Sequence, residues 1–134
     1  MAETFHFELV SPERQLMSED LVEAIIPGQE GDLAALPNHA LLISQIRPGI
    51  LTTRGTSGAE KRFFLRGGFA DVGPSETVII AEYAVPLEEF SPAMLTDEIA
   101  QAQMAFDEAH GDESRFAAQD RVERLQSLQP RITG

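Results

Sequence analysis

The regular spacing of turn-forming residues constrains the fold of this chain most. Up to about Glu89, short apolar stretches alternate with clusters of glycine, proline, serine and asparagine, roughly every 8 to 12 residues, as in all-β domains. The segments GTSG (residues 55–58) and GPS (residues 73–75) are typical of hairpin turns. Phe5, Phe7 and Leu9 alternate with polar residues, as in a half-buried strand. The pattern predicts an antiparallel β-sandwich or barrel over this part of the chain.

The spacing changes to a helical period after Glu89. Ser91 is a favourable N-cap, and Pro92 is a favourable first helical residue. The next apolar residues recur at alternating spacings of four and three, which is one face of a helix: Leu95, Ile99, Ala102, Phe106 and Ala109. Gly111 is expected just past the end of this helix.

A second amphipathic helix is predicted from about Ser114 to Pro130. Its apolar positions are Ala118, Val122, Leu125 and Leu128. A short loop between two helices predicts an antiparallel hairpin, so the sequence divides into a β domain at residues 1–90 and a helical hairpin at residues 91–134. Because the apolar faces are narrow and rich in alanine, each helix buries little area, and we expect a hairpin that is only marginally stable alone.

The acidic composition argues against whole classes of partner. The chain of 134 residues has 22 acids against 10 lysines and arginines, a net charge of −12. Such a surface repels nucleic acids and anionic lipid headgroups. The absence of cysteine excludes disulfides and thiolate chemistry. No apolar stretch approaches the roughly 18 residues of a membrane span, and the acidic N-terminus lacks signal-peptide features. We therefore expect neither nucleic-acid binding nor direct membrane insertion.

One segment has the composition of a functional site, namely residues 28–49, GQEGDLAALPNHALLISQIRPG. Phosphate binding is disfavoured, because a P-loop needs a lysine and a following helix, and this segment has neither. His39 with Glu30 or Asp32 could form a general base and its orienting group, but no nucleophile signature accompanies them. The segment therefore predicts turns and a contact surface more readily than an active site.

Two other candidate features have structural explanations. Metal-ligand spacing is absent among the three histidines, which are His6, His39 and His110. Gly67 and Gly68 lie between two strand-like stretches, where a two-residue turn or a bulge is expected. The sequence thus predicts no catalytic residues, no metal and no cofactor.

The order of these segments resembles a known family. Residues 5–51, FHFELVSPERQLMSEDLVEAIIPGQEGDLAALPNHALLISQIRPGIL, and residues 63–82, FFLRGGFADVGPSETVIIAE, carry the resemblance. The epsilon subunit of the bacterial F-type ATP synthase typically has VSPE, then G-x-EGE-x-G-x-LP-x-HAPL with L-x-PG, and then a GG-containing strand. Several motifs keep their order and spacing from about Phe5 to Tyr83. The last 44 residues are similar in architecture more than in sequence.

The resemblance implies an α+β fold, with a ten-stranded antiparallel β-sandwich of two five-stranded sheets followed by the two-helix hairpin. It implies a non-catalytic subunit of the central rotor stalk, without a cofactor. The partners would be the gamma subunit and the ring of c subunits, and the role would be to couple proton flow to ATP synthesis. The subunit would lie peripherally on the cytoplasmic face of the bacterial inner membrane.

The same resemblance assigns expected contact residues. The end of the sandwich that faces the c-ring would carry the turn after Pro37 and these five residues: Glu30, Gly31, Asp32, Asn38 and His39. Asp32 stands where the family usually has a glutamate, so its reach is shorter. The sheet face that carries Phe63, Leu65 and Phe69 is expected to face gamma.

Two departures from the family concern the hairpin. Family members that bind ATP there have an I/L-D-x-x-R-A motif, whereas LTDEIAQAQ (residues 95–103) has no arginine, which predicts no tight ATP binding. In many members the hairpin extends along gamma, and a long basic second helix meets alpha and beta subunits and inhibits ATP hydrolysis. Here the helix offers Arg115, Arg121 and Arg124, with Arg131 beyond it, which predicts weak or absent inhibition.

Two other hypotheses compete with the rotor subunit. The first is a stand-alone β-sandwich that binds a ligand or regulates another protein, which predicts a small molecule that shifts the melting temperature. The second is a carboxylate–histidine enzyme, which predicts turnover that is lost in His39→Ala. The rotor hypothesis instead predicts that gamma and c subunits are recovered with the chain.

Overall fold

A computed structural model describes residues 3–132 of the chain. The fold has two compact units, Met1–Leu87 and Glu88–Gly134. Strands make up the first unit and helices the second, and the short 3₁₀ turn Leu87–Glu89 lies at the change from one to the other.

The first unit contains seven strands within the described residues. They are β1 (Phe5–Val10), β2 (Gln15–Gly28), β3 (Gly31–Ala35), β4 (Leu42–Gln45), β5 (Gly49–Gly55), β6 (Glu60–Val72) and β7 (Glu76–Pro86). Their order in the sheet is β1-β7-β6-β5-β2-β3, and β4 pairs with β6. Because β1 pairs with β2 as well as with β7, the sheet curls round and closes on itself as a partly closed barrel.

The β-sandwich-like domain and the two helices agree with the predicted fold class, but the strand count and one pairing do not. Seven strands are present in residues 3–132 instead of ten, and β1 pairs with β7 in parallel. The difference in number arises because β2, β6 and β7 have 14, 13 and 11 residues. Each is about twice the usual strand length of 5 to 6 residues. Counted as two strands each, these three would raise seven to ten.

The core follows the predicted alternation in β1. Phe5, Phe7 and Leu9 are buried among the apolar side chains of the other strands, while His6 and Glu8 face outwards. Fully burying a side chain of this size stabilises the fold by roughly 1.5–3 kcal/mol. Both predicted hairpin turns are also present, since GTSG joins β5 to β6 and GPS joins β6 to β7.

The Gly67–Gly68 pair is neither a turn nor a bulge, so that prediction was wrong. Both glycines lie inside β6, and β6 keeps one register with β7 on either side of them. Their φ angles are 75° and 113°, and a Cβ on Gly68 would lie 2.1 Å from the carbonyl oxygen of Ile80. Leu65 is buried before the glycines and Ala70 after them. Residues on one face of a strand are an even number of positions apart, whereas Leu65 and Ala70 are an odd number apart. The positions that point into the core therefore change from odd-numbered to even-numbered residues at the glycines.

The second unit is a helical hairpin of α1 (Pro92–Glu108) and α2 (Asp112–Gln126), which pack together. Ser91 caps α1 as predicted, because its Oγ accepts a hydrogen bond from the Met94 amide at 3.2 Å. Gly111 is the N-cap of α2 with φ 89°, so it begins the second helix instead of ending the first. A 3₁₀ turn, Gln129–Arg131, follows α2.

The predicted apolar positions of α2 are all buried, and they are Ala118, Val122, Leu125 and Leu128. In α1, Leu95 and Ala102 are buried, whereas Ile99 and Phe106 are half-buried. Neither helix, over the residues described, has the length and apolar character needed to cross a membrane.

Candidate interaction surfaces

The first candidate surface is the turn between β2 and β3, which carries Glu30. Gly28 and Gly31 are paired across the base of this turn. A Cβ on Gly28 would lie 2.7 Å from the Gly31 carbonyl oxygen, and Gly31 itself has φ 142°. The turn therefore requires glycine at both positions, and it leaves the Glu30 side chain exposed.

Arg47 holds this hairpin from the neighbouring chain segment. Its backbone amide donates to the Pro27 carbonyl at 3.0 Å, and its Nη1 donates to the Gly28 carbonyl at 2.6 Å. Its Nη2 donates to Oδ1 of Asp32 in an ion pair. Sequence analysis missed Arg47, although its position before Pro48, where β4 gives way to β5, was a usable signal.

Asn38 and His39 form a second turn, after β3. Asn38 has φ 69°, its amide donates to the Pro74 carbonyl at 2.7 Å, and its Nδ2 donates to Glu3 at 2.9 Å. His39 Nδ1 lies 2.6 Å from the carbonyl oxygen of Ala40. The general-base hypothesis needs a carboxylate on this histidine, but the imidazole hydrogen-bonds to a backbone carbonyl and Asp32 pairs with arginine.

Exposed leucine and isoleucine side chains lie beside these turns. They are Leu36, Leu41, Leu42 and Ile43, and Leu41 has a relative exposure of 81%. A groove of about 440 Å³ is lined by the β2–β3 turn and by β4. Three consecutive apolar residues at 41–43 cannot all point inwards from a strand, which was a signal that sequence analysis did not use. A partner that covered the two turns would bury these exposed leucine and isoleucine side chains.

The outer face of the sheet carries a second apolar surface. Phe69 on β6 and Ile80 on β7 are directly opposed in register, and both side chains are exposed. Val10 is paired with Ile80 from β1, and Ile43 lies along β4 on the same face. We call these four residues the outer apolar patch. Acidic side chains surround it on the same face: Glu8, Asp71 and Glu82.

Only one of the three residues expected to face gamma lies on this face. Phe69 is exposed, but Phe63 and Leu65 are 5% and 0% exposed and belong to the core. The expectation assumed an unbroken two-residue alternation along the strand. The change of face at Gly67 and Gly68 breaks it, so the grouping of Phe63 and Leu65 with Phe69 was wrong.

His6 lies in a polar cluster between β1 and β2. Its Nε2 is 3.3 Å from Glu8 and 3.4 Å from the Ser18 hydroxyl, and its Nδ1 is 3.4 Å from Asp20. Hydrogen bonds that the His6 ring donates to the carboxylates of Glu8 and Asp20 raise the pKa of His6 above its ordinary value of 6.5. Within residues 3–132, no three or more histidines and carboxylates are grouped so that they could hold a metal ion.

The arginines of α2 are balanced by acids on the same helix. Arg115 is exposed, and Nε of Arg124 donates to Asp120 at 2.8 Å. The Nε of Arg121 is buried without a hydrogen-bond partner. The helix sequence DESRFAAQDRVERLQ contains four acids and three arginines. The acids of α2 therefore outnumber its arginines by one.

A family model and the sequence of a curated protein both match this chain to the same kind of ATP synthase subunit. The family model of the ATP synthase delta/epsilon chain β-sandwich domain matches residues 4–87. The ATP synthase epsilon chain of Mesorhizobium japonicum is 39% identical over 132 residues, which cover 98% of this chain and 98% of that protein.

Two solved structures share the fold. One belongs to the mitochondrial ATP synthase of Euglena gracilis, an OSCP/F1/c-ring assembly, with a TM-score of 0.74 at 23% identity, covering 96% of this chain and 81% of that chain. The other belongs to the central stalk and c-ring of the mitochondrial ATP synthase of Tetrahymena thermophila, with a TM-score of 0.66 at 15% identity, covering 96% and 98%.

Proposed function

The chain belongs to the family of ATP synthase delta/epsilon chains, and on this premise we propose that it is a non-catalytic subunit of the central stalk. It links the gamma subunit to the c-ring, so that proton flow through the ring drives ATP synthesis. The observation that carries the proposal is the outer apolar patch, where Phe69 and Ile80 are exposed on a well-formed sheet. A large apolar side chain exposed next to others on one face marks a protein–protein contact.

The outer apolar patch is proposed as the surface that binds gamma. Aromatic and aliphatic anchors at the centre of a contact supply most of its binding energy, and charged residues at its edge set orientation and specificity. Phe69 and Ile80 would be the anchors, and Asp71 and Glu82 would meet basic groups of gamma.

The β2–β3 turn and the turn after β3 are proposed to face the c-ring. The residues concerned are Glu30, Gly31, Asp32, Asn38 and His39. Glu30 is exposed and His39 is half-buried, and Gly31 and Asn38 supply the turn geometry. Asp32 shares one carboxylate oxygen with Arg47, and its other oxygen is available to a partner.

The helical hairpin, residues 91–134, is proposed as a separate domain from residues 1–90 with at most a weak regulatory role. Arg115, Arg121 and Arg124 would be its contacts to alpha and beta subunits. Because the acids of α2 outnumber its arginines, its attraction to acidic catalytic subunits is small. The subunit would bind no ATP tightly, and it would lie on the cytoplasmic face of the inner membrane through its protein partners.

The decisive experiment mixes the purified chain with the gamma-containing catalytic core from its own organism. Stoichiometric co-elution on size exclusion is expected at micromolar concentration and physiological salt. A second step adds this complex to membranes that retain the c-ring and measures ATP-driven proton pumping, which should require the chain. If the chain elutes alone, and pumping is the same without it, the proposal is wrong and a stand-alone ligand-binding domain becomes the better hypothesis.

A further inference from the structure

We propose that Arg47 is a positioning residue for the ring-facing end of the protein, and that it acts by holding the β2–β3 hairpin in the orientation that presents Glu30 and Asp32. This inference rests on the proposed contact between that end and the c-ring. Arg47 is not assigned to the contact itself, because its side chain is mostly covered, with a relative exposure of 21%.

The position of Arg47 in the chain gives it this role. Gln45 pairs with Phe69 at the end of β4, and Gly49 pairs with Leu65 at the start of β5. Both strands therefore share one register along β6, and residues 46–48 interrupt the strand structure between them. Arg47 lies in the middle of this interruption. A residue anchored on both sides by strands is a rigid base for a side chain that reaches to another hairpin.

The contacts of Arg47 reach three separate points of the hairpin. They are the carbonyl of Pro27, the carbonyl of Gly28 and the carboxylate of Asp32. Gln29 adds a backbone bond, because its amide donates to the Gln45 carbonyl at 2.8 Å. A planar guanidinium that engages a carbonyl and a carboxylate together fixes direction as well as distance, which an ammonium group cannot do equally well.

The charges at the turn follow from this arrangement. Arg47 neutralises Asp32, whereas Glu30 makes no hydrogen bond or ion pair with any residue in the range 3–132. Glu30 is thus the unpaired carboxylate, and Arg47 controls where it points without touching it. The partner chemistry that fits is a polar loop that offers a cationic group or hydrogen-bond donors to one carboxylate.

The test measures binding of the complete gamma-containing complex to membranes that retain the c-ring. Arg47→Ala is expected to weaken this binding about tenfold, in line with the loss of hydrogen bonds to a charged group. Arg47→Lys should recover part of the loss. Co-elution with gamma and the melting temperature of the free chain are followed in parallel. Arg54→Ala is the matched control, because Arg54 forms an ion pair with Glu23 on an adjoining part of the sheet.

A double-mutant cycle separates positioning from general stability. With Arg47 present, Glu30→Gln should weaken ring binding about fivefold. In the Arg47→Ala background it should weaken binding less than twofold, because a mispositioned carboxylate already contributes little to the contact. Additive effects of the two substitutions would overturn the proposal. If Arg47→Ala fails to fold, Arg47→Gln replaces it in the cycle, since it removes the ion pair with Asp32 and leaves every proposed ring-contact residue unchanged.

Two further outcomes distinguish this inference from the proposed function. If Glu30→Gln weakens ring binding but Arg47→Ala leaves it within twofold of the wild type, the positioning role is refuted and the ring contact stands. If Glu30→Gln, Asp32→Asn and His39→Ala all leave ring binding unchanged, both the ring contact and the role of Arg47 are refuted. Co-elution with gamma then decides separately whether the chain is a stalk subunit.

Discussion

Phe69 and Ile80 lie directly opposite each other on β6 and β7 and point away from the core, with relative exposures of 53% and 61%. Their immediate neighbours in sequence, Ala70 and Ile79, are an opposed pair that is fully buried. The sheet thus places one apolar pair inside and one outside at the same level. The inner pair serves folding, and the outer pair is available to a partner.

Phe69→Ala should weaken binding to gamma without destabilising the domain. An exposed side chain contributes little to folding, so the free energy of unfolding should change by less than about 0.5 kcal/mol. Loss of an aromatic anchor from a contact should reduce affinity roughly tenfold or more. Isothermal titration with the gamma-containing core measures the affinity. Phe116→Ala is the matched control, because Phe116 is an exposed phenylalanine on α2. Equal affinities of Phe69→Ala and wild type would contradict the assignment.

Gly68→Ala should destabilise the β domain strongly. The added Cβ would meet the Ile80 carbonyl oxygen at 2.1 Å, and the φ of 113° is unfavourable for any other residue. We expect a loss of about 3 kcal/mol or more, or failure to fold, because backbone strain and a backbone clash combine. Gly58→Ala is the control, since its φ of 86° is also positive but its Cβ would meet nothing within 4 Å. Chemical denaturation of both variants gives the comparison, and similar losses would show that φ alone decides.

His6→Gln should remove a pH-dependent part of the stability. The pKa of His6 is raised in the folded state by Glu8 and Asp20. The protonated ring therefore favours folding below its ordinary pKa of about 6.5, and this contribution is lost as the pH rises through the higher folded pKa. Glu76 also faces His6 in register from β7.

The measurement for His6 is the melting temperature from pH 5.5 to pH 8.5, compared between wild type and variant. The difference between the two should be largest at the acid end and should decrease towards the alkaline end. His110→Gln is the control, because His110 has no hydrogen-bond or ion-pair partner among residues 3–132. A wild-type advantage that grew with pH would reverse the expected sign.

Ser91→Ala should loosen α1. The Ser91 hydroxyl accepts a hydrogen bond from the Met94 amide at 3.2 Å, and loss of such an N-cap costs about 1 kcal/mol. Amide hydrogen exchange within Pro92–Glu108 should become roughly fivefold faster, since about 1.4 kcal/mol corresponds to tenfold. Ser114→Ala, inside α2, should leave exchange unchanged or slow it, because alanine is the better helix former. Unchanged exchange in Ser91→Ala would show that packing alone holds the helix start.

Deletion of residues 91–134 should change the ATPase rate of the assembled enzyme by less than about twofold, which corresponds to under 0.5 kcal/mol of inhibitory interaction. The physical reason is the balance of four acids and three arginines on α2. The assay compares the complex with full-length and truncated chains, with co-elution as the control for assembly. A several-fold rise in activity after the deletion would show that the hairpin inhibits hydrolysis.

Local chemistry determined much of this protein from the sequence alone. The alternation at Phe5, Phe7 and Leu9, the hairpin turns and the N-cap at Ser91 depend on residues within a few positions of one another. Steric limits on φ and ψ, side-chain periodicity and capping act at that range. For the same reason, the buried positions of α2 could be read from a period of 3.6 residues.

Only the tertiary structure decided the features that join distant parts of the chain. The pairing of β1 with both β2 and β7 closes the sheet, and Gly68 meets the backbone of Ile80 inside a strand instead of turning. Arg47 forms an ion pair with the carboxylate of Asp32, fifteen positions away in the sequence. A sequence shows that a glycine permits unusual backbone angles and that an arginine needs an anion. Packing decides which part of the chain approaches the glycine and which anion the arginine binds. The sequence cannot decide it, because several partners satisfy the same local chemistry.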